Sequence, residues 1–138
     1  KPRQVRWQRR SARSFDYLHL ALPLSLVLEY RRRCDQLMMG SGVKVAEYAI
    51  WSRPELFSML LAPRSGDGDN FREDMARMVQ QVLTLAQDMG GSMEYCHGVG
   101  VKLGYLLARE MGVGHDVLRT LKRALDPANI MNPGKLGL

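Results

Sequence analysis

The sequence predicts an α+β fold: a small, mainly antiparallel sheet covered by helices, followed by C-terminal helices and an irregular tail. Three observations lead there. Residues 43–51 (VKVAEYAIW) and 55–62 (ELFSMLLA) are alternating or apolar runs separated by the turn Ser52-Arg53-Pro54, the pattern of a hairpin. Phe71, Met75, Met78, Val79, Val82, Leu83 and Ala86 recur at the spacing of one helix face. Near the end, Asp126-Pro127 and Asn132-Pro133-Gly134 give the chain a fixed path without regular structure.

The elements follow in order. Residues 14–22 (SFDYLHLAL) alternate loosely and are rich in aromatic and branched side chains, which reads as a strand. Pro23 opens a helix whose apolar positions Leu24, Val27, Leu28, Leu37 and Met38 run to a stop at Gly40. After the hairpin, residues 63–70 (PRSGDGDN) form a polar loop, and Asn70 with Glu73 has the form of a capping box for the helix at Phe71. That helix ends at Gly90-Gly91, since glycine takes the left-handed cap geometry. Residues 103–111 and 116–125 read as two shorter helices separated by Gly112 and Gly114, and Asp126-Pro127 closes the second. Nine methionines are many for this length, and their helix-face positions make core filling the explanation.

Composition bounds the function. The chain has 138 residues, 46% hydrophobic and 25% charged, which fits one folded domain or a large piece of one. Its apolar runs fall short of the roughly 18 to 20 residues of a membrane span, so no membrane span is expected. The net charge of +6 resides wholly in an arm, residues 1–13, carrying Lys1, Arg3, Arg6, Arg9, Arg10 and Arg13 without an acid. A nucleic-acid-binding domain spreads its cations over a folded face, so nucleic acid is not the expected partner. Cys34 and Cys96 are too few for a disulfide framework and lack metal-ligand spacing. A reducing, cytoplasmic setting is the expectation, with no metal and no signal peptide. A start at Lys1 suggests a processed product or a fragment of something larger.

Two segments suit neither a core nor an ordinary surface. In residues 90–100 (GGSMEYCHGVG), glycines flank Glu94, Tyr95, Cys96 and His97, so backbone amides can approach a bound group while side chains converge. The alternative is a helix cap followed by a loop with a surface histidine. Residues 126–136 (DPANIMNPGKL) have a defined shape, or are simply a helix stop and a turn.

In this order and spacing, G-G-S-x-x-x-x-H-G-x-G, two helices and L-K-x-A-L-D-P-x-x-I-x-N-P-G-K-L resemble the C-terminal end of FAD-linked oxidases of the vanillyl-alcohol oxidase superfamily. The nearest branches are those of glycolate oxidase, D-lactate dehydrogenase and alkyl-dihydroxyacetonephosphate synthase. Glu94-Tyr95 is similar to the G-x-x-E-Y segment of the 4-cresol and vanillyl-alcohol branch. The resemblance implies an FAD-dependent oxidoreductase acting on a hydroxylated small organic molecule. This chain would be the cap or substrate portion (14–125) and a tail (126–138) returning toward a cofactor domain that lies in the parent chain or a partner subunit. It places Tyr95, Cys96, His97, Gly98, Val99, Gly100, Asn132 and Lys135 near the flavin, and Trp51, Glu94 and Tyr95 at the substrate. His97 would be catalytic, taking a hydroxyl proton as hydride leaves carbon.

Departures from the pattern are equally specific. Cys96 stands where the 2-hydroxy-acid branch has Glu and where the 4-cresol branch has Arg. Residues 50–57 (IWSRPELF) replace a G-H-x-G-D-G-N segment whose histidines bind metal or substrate in several members, so no metal site is implied. A noncatalytic interaction module, or a degenerate remnant with a basic arm, is the competing reading.

Overall fold

A computed structural model describes residues 15–64 and 71–138. The basic arm and the Asn70 end of the predicted capping box lie outside the described residues. The fold is α+β, as the sequence predicts. The chain divides into two compact units, Lys1–Tyr95 and Cys96–Leu138.

The first unit holds β1 (Asp16–Ala21), α1 (Val27–Leu37), β2 (Val43–Ile50), β3 (Leu56–Pro63) and α2 (Phe71–Asp88), with a short 3-10 turn, Leu24–Leu26, leading into α1. The predicted hairpin is present, and its sheet has the order β1-β3-β2 with both pairings antiparallel. Strand β3 is central because its residues 57–61 are buried on both faces, as a nearly unbroken apolar run requires. A bulge between Val45 and Glu47 shifts the phase of β2. This accounts for the sequence pattern: Val43 and Val45 before the bulge, and Tyr48 after it, fall on the same face although their parity differs.

Residues paired across strands share a face. Leu18 and Leu20 of β1 oppose Met59 and Phe57 of β3, and this face meets the helices. Tyr30 of α1 packs edge-on against Phe57 at 5.9 Å between ring centroids, and its hydroxyl donates to the Val82 carbonyl of α2 at 2.8 Å. The predicted stripe of α2, Met75, Met78, Val79, Val82, Leu83 and Ala86, is the buried one. Five methionines, Met38, Met59, Met75, Met78 and Met93, are buried, so core filling is their role. Burial also pushes the Cys34 thiol up to about 12, which makes it a packing group rather than a nucleophile.

The second unit holds α3 (Gly104–Met111), α4 (Val113–Leu125) and a final 3-10 turn, Lys135–Gly137. Helix α4 starts three residues before the expected Asp116. Gly112, at φ +53° and ψ −129°, makes the break alone, and Gly114 sits inside the first turn. Glycine there is tolerated because first-turn amides have no intrahelical acceptor to lose. Val113, Val117, Leu121 and Leu125 recur every fourth residue on α4 and are exposed. Among the described residues, no helix is long and apolar enough to cross a membrane.

Candidate functional site

The face of the sheet turned away from α1 carries the first cluster. His19 of β1 and Ser58 of β3 are register partners, and both are buried. His19 Nδ1 lies 2.8 Å from Ser58 Oγ. The indole N–H of Trp51, just past β2, donates to the same Ser58 oxygen at 2.6 Å. The Tyr95 hydroxyl stands 3.5 Å from it, and the Tyr95 ring meets His19 edge-on at 5.8 Å. Tyr17 adds a further ring, 4.7 Å from His19. Trp51 remains 49% exposed, so the cluster joins a buried polar pair to an accessible aromatic rim.

Tyr95 reaches this cluster because residues 92–95 run beside β1. Ala21 and Ser92 exchange both backbone hydrogen bonds, at 3.0 and 2.8 Å, and the Tyr95 amide donates to the His19 carbonyl at 3.3 Å. Met93 is buried and anchors the segment, while Glu94 is half-buried.

The second unit carries the rest of the predicted set. Cys96, His97 and Gly98 are exposed, and Val99 and Gly100 partly so. Cys96 Sγ lies 3.8 Å from His97 Nε2. Gly98 and Gly100 have φ of +77° and +60°, a left-handed backbone that favours glycine, and a Cβ at either would meet nothing within 4 Å among the described residues. Among the described residues, nothing covers the backbone at these two glycines.

The C-terminal segment joins this loop. The Leu136 amide donates to the Gly100 carbonyl at 2.9 Å, and His115 Nε2 lies 3.0 Å from the Leu136 carbonyl oxygen. Gly104 and Gly137 touch backbone to backbone, since a Cβ on Gly104 would stand 2.6 Å from the Gly137 nitrogen. Asp126 is the hub of the intervening turn. It accepts the Ile130 and Met131 amides, each at 2.9 Å, and the Lys122 ammonium. The Lys122 contact, aided by those amides, holds the Asp126 carboxyl below its usual range. Asn132, at φ +49°, and Lys135 are exposed on this braced segment.

The two sequence segments thus meet at Gly100 and Leu136, and Trp51 and Tyr95 meet at Ser58. Sequence reasoning missed His19 and Ser58, although a serine inside an otherwise apolar strand run is a visible signal. It also missed His115, whose ring lies between the Leu136 carbonyl and, at 3.4 Å, the Arg119 guanidinium. Among the described residues no group of three or more His, Cys, Asp and Glu is placed to hold a metal ion.

The family model described as FAD linked oxidases, C-terminal domain, matches residues 15–136. The chain belongs to that family. Over 63 residues, 45% of this chain, it is 38% identical to an FAD-linked oxidoreductase of Mycobacterium tuberculosis, of which it covers 14%. It is 38% identical over 69 residues to glycolate oxidase subunit GlcD of Bacillus subtilis, covering 47% of this chain and 15% of that one. A D-lactate dehydrogenase of Archaeoglobus fulgidus is 27% identical over 133 residues, 88% of this chain and 26% of that protein. This FAD-linked oxidase C-terminal domain therefore spans between about a seventh and a quarter of the length of these relatives.

The residues present fit a flavin. Among the described residues nothing stands within 4 Å of a Cβ built at Gly98 or Gly100, and the exposed His97 and Lys135 are of the donor type that suits a ring gathering negative charge on reduction.

Proposed function

We propose that this chain is the substrate-side and C-terminal portion of an FAD-dependent oxidoreductase that oxidises a hydroxylated small organic molecule. Most of the FAD is held by a separate domain, in the same protein or in a partner subunit. The observation that carries the reading is the hydrogen bond from Leu136 to Gly100, which braces the bare glycine loop against the turn bearing Asn132 and Lys135. Residues 14–125 serve as the cap portion and 126–138 as the returning tail.

Bound FAD supplies a two-electron acceptor for hydride. His97 takes the substrate's hydroxyl proton at an imidazole nitrogen. Lys135, Asn132 and the backbone of Cys96, Gly98, Val99 and Gly100 bind the ring and offset negative charge on it. Trp51, Glu94 and Tyr95 hold and orient the substrate. Membership of a family whose relatives include proteins named for glycolate and D-lactate favours a 2-hydroxy acid.

The test is an absorbance spectrum of the purified full-length protein containing this sequence. The expected result is a bound-flavin spectrum bleached by glycolate or D-lactate. A folded, colourless protein would turn the reading toward a noncatalytic module.

A further inference from the structure

The proposed reaction leaves two buried polar side chains unused. His19 and Ser58, 5% and 0% exposed, face each other across β1 and β3. Burying two hydrogen-bonding groups in a sheet face is unfavourable unless each finds partners. Apolar residues there would pack without that condition.

Donor accounting gives the pair a role. The Trp51 indole can only donate, so Ser58 Oγ accepts at 2.6 Å. Ser58 has one proton to give. Given to His19 Nδ1 at 2.8 Å, it leaves a Ser58 lone pair for the Tyr95 hydroxyl at 3.5 Å. Tyr95 then donates toward Ser58 and keeps its oxygen lone pairs for a ligand. If instead His19 Nδ1 carries a proton and donates to Ser58, the Ser58 proton turns to the Tyr95 oxygen. Tyr95 must then donate elsewhere. The protonation of His19 Nδ1 thus decides whether Tyr95 offers a ligand an acceptor or a donor.

We propose that His19 and Ser58 are positioning residues of the substrate site, with Ser58 tying Trp51 and Tyr95 together and His19 setting the polarity of the Tyr95 hydroxyl. The inference rests on the reading that Trp51 and Tyr95 touch substrate. With the short contact to Nδ1 as the donated bond, His19 is neutral with its proton on Nε2. Tyr95 is then an acceptor, the form that receives a substrate hydroxyl. The ligand that fits is a small hydroxylated molecule whose O–H rests on Tyr95 in the bound complex, before the proton is removed, with an apolar surface on Trp51.

The first test is nitrogen NMR of the chain carrying Trp7→Phe, which leaves Trp51 as its one indole. His19 Nδ1 should resonate as an unprotonated nitrogen, and the Trp51 indole N–H should lie downfield. Ser58→Ala should move that indole signal upfield, His19→Leu should shift it, and His19→Asn, whose amide oxygen can replace Nδ1 as acceptor, should leave it in place. The second test is turnover of the flavin-loaded full-length protein, with D-lactate and glycolate as probes. His19→Leu and Ser58→Ala should raise KM by roughly tenfold, on the scale of one hydrogen bond, with kcat little changed, and His19→Asn should restore most of the loss. A protonated Nδ1 in the unsubstituted chain overturns the proposal without any active-site variant. So does an equal KM in His19→Leu and the parent. Unchanged KM in Trp51→Phe and Tyr95→Phe overturns the substrate reading beneath it, whatever the NMR shows.

Discussion

Up to Tyr95 the chain buries a broad apolar core, with Leu20, Tyr30, Met59, Leu61, Val82 and Leu83 out of water; from Cys96 onward the buried side chains reduce to Leu103, Leu106, Leu107, His115 and Asp126. The second unit relies on directed bonds instead: Leu136 to Gly100, His115 to Leu136, and the Asp126 hub. An apolar core draws stability from area, each large side chain contributing roughly 1.5 to 3 kcal/mol on full burial. A hydrogen-bonded turn depends on particular atoms at particular places. The first unit is thus held by area and carries its polar cluster on a sheet face, whereas the second, outside its two helices, is held by individual hydrogen bonds.

Three perturbations separate the two units. Leu83→Ala empties a wholly buried position and should cost about 2 to 5 kcal/mol, read as a lower urea midpoint with the slope preserved. A loss near zero would mean the first unit is not core-stabilised. Gly104→Ala forces a Cβ into the Gly137 backbone and should cost about 1 to 3 kcal/mol as overpacking. Hydrogen exchange should rise at the Leu136 amide and stay unchanged at Val82; an equal rise at both would erase the distinction between the units.

The third test uses pH. Lys122, desolvation and the Ile130 and Met131 amides act on Asp126, with a net lowering of its pKa from the ordinary 3.8. A group whose folded value is lowered contributes stability fully present above its ordinary value and lost as pH falls through the folded one. The Ile130 and Met131 amide resonances should therefore hold steady above the ordinary aspartate value and move upfield on further acidification. Asp126→Asn should flatten that transition. A parent turn indifferent to acid would remove Asp126 as the hub.

Much of this was legible in the sequence, for physical reasons. The α2 stripe and the hairpin follow from periodicity, because burial of one face imposes it. Motif resemblance set the glycine loop and the C-terminal turn each near a flavin but did not pair them, and no spacing rule could have placed Leu136 on Gly100. His19 and Ser58 escaped because a polar residue inside a strand reads as an interruption until the register sets the two opposite each other. The early start of α4 escaped because Gly112 and Gly114 look alike in sequence, and only the backbone angles show which one breaks the helix.

In the proposed function, the exposed loop at His97 serves the flavin chemistry. The most direct measurement is turnover together with melting temperature of the flavin-loaded full-length protein, before and after His97→Ala, on one preparation. His97 is exposed, so the melting temperature should stay in place while turnover falls by roughly 10²-fold or more, the scale of a positioned acid or base. Unchanged turnover would contradict the account and take His97 out of the reaction.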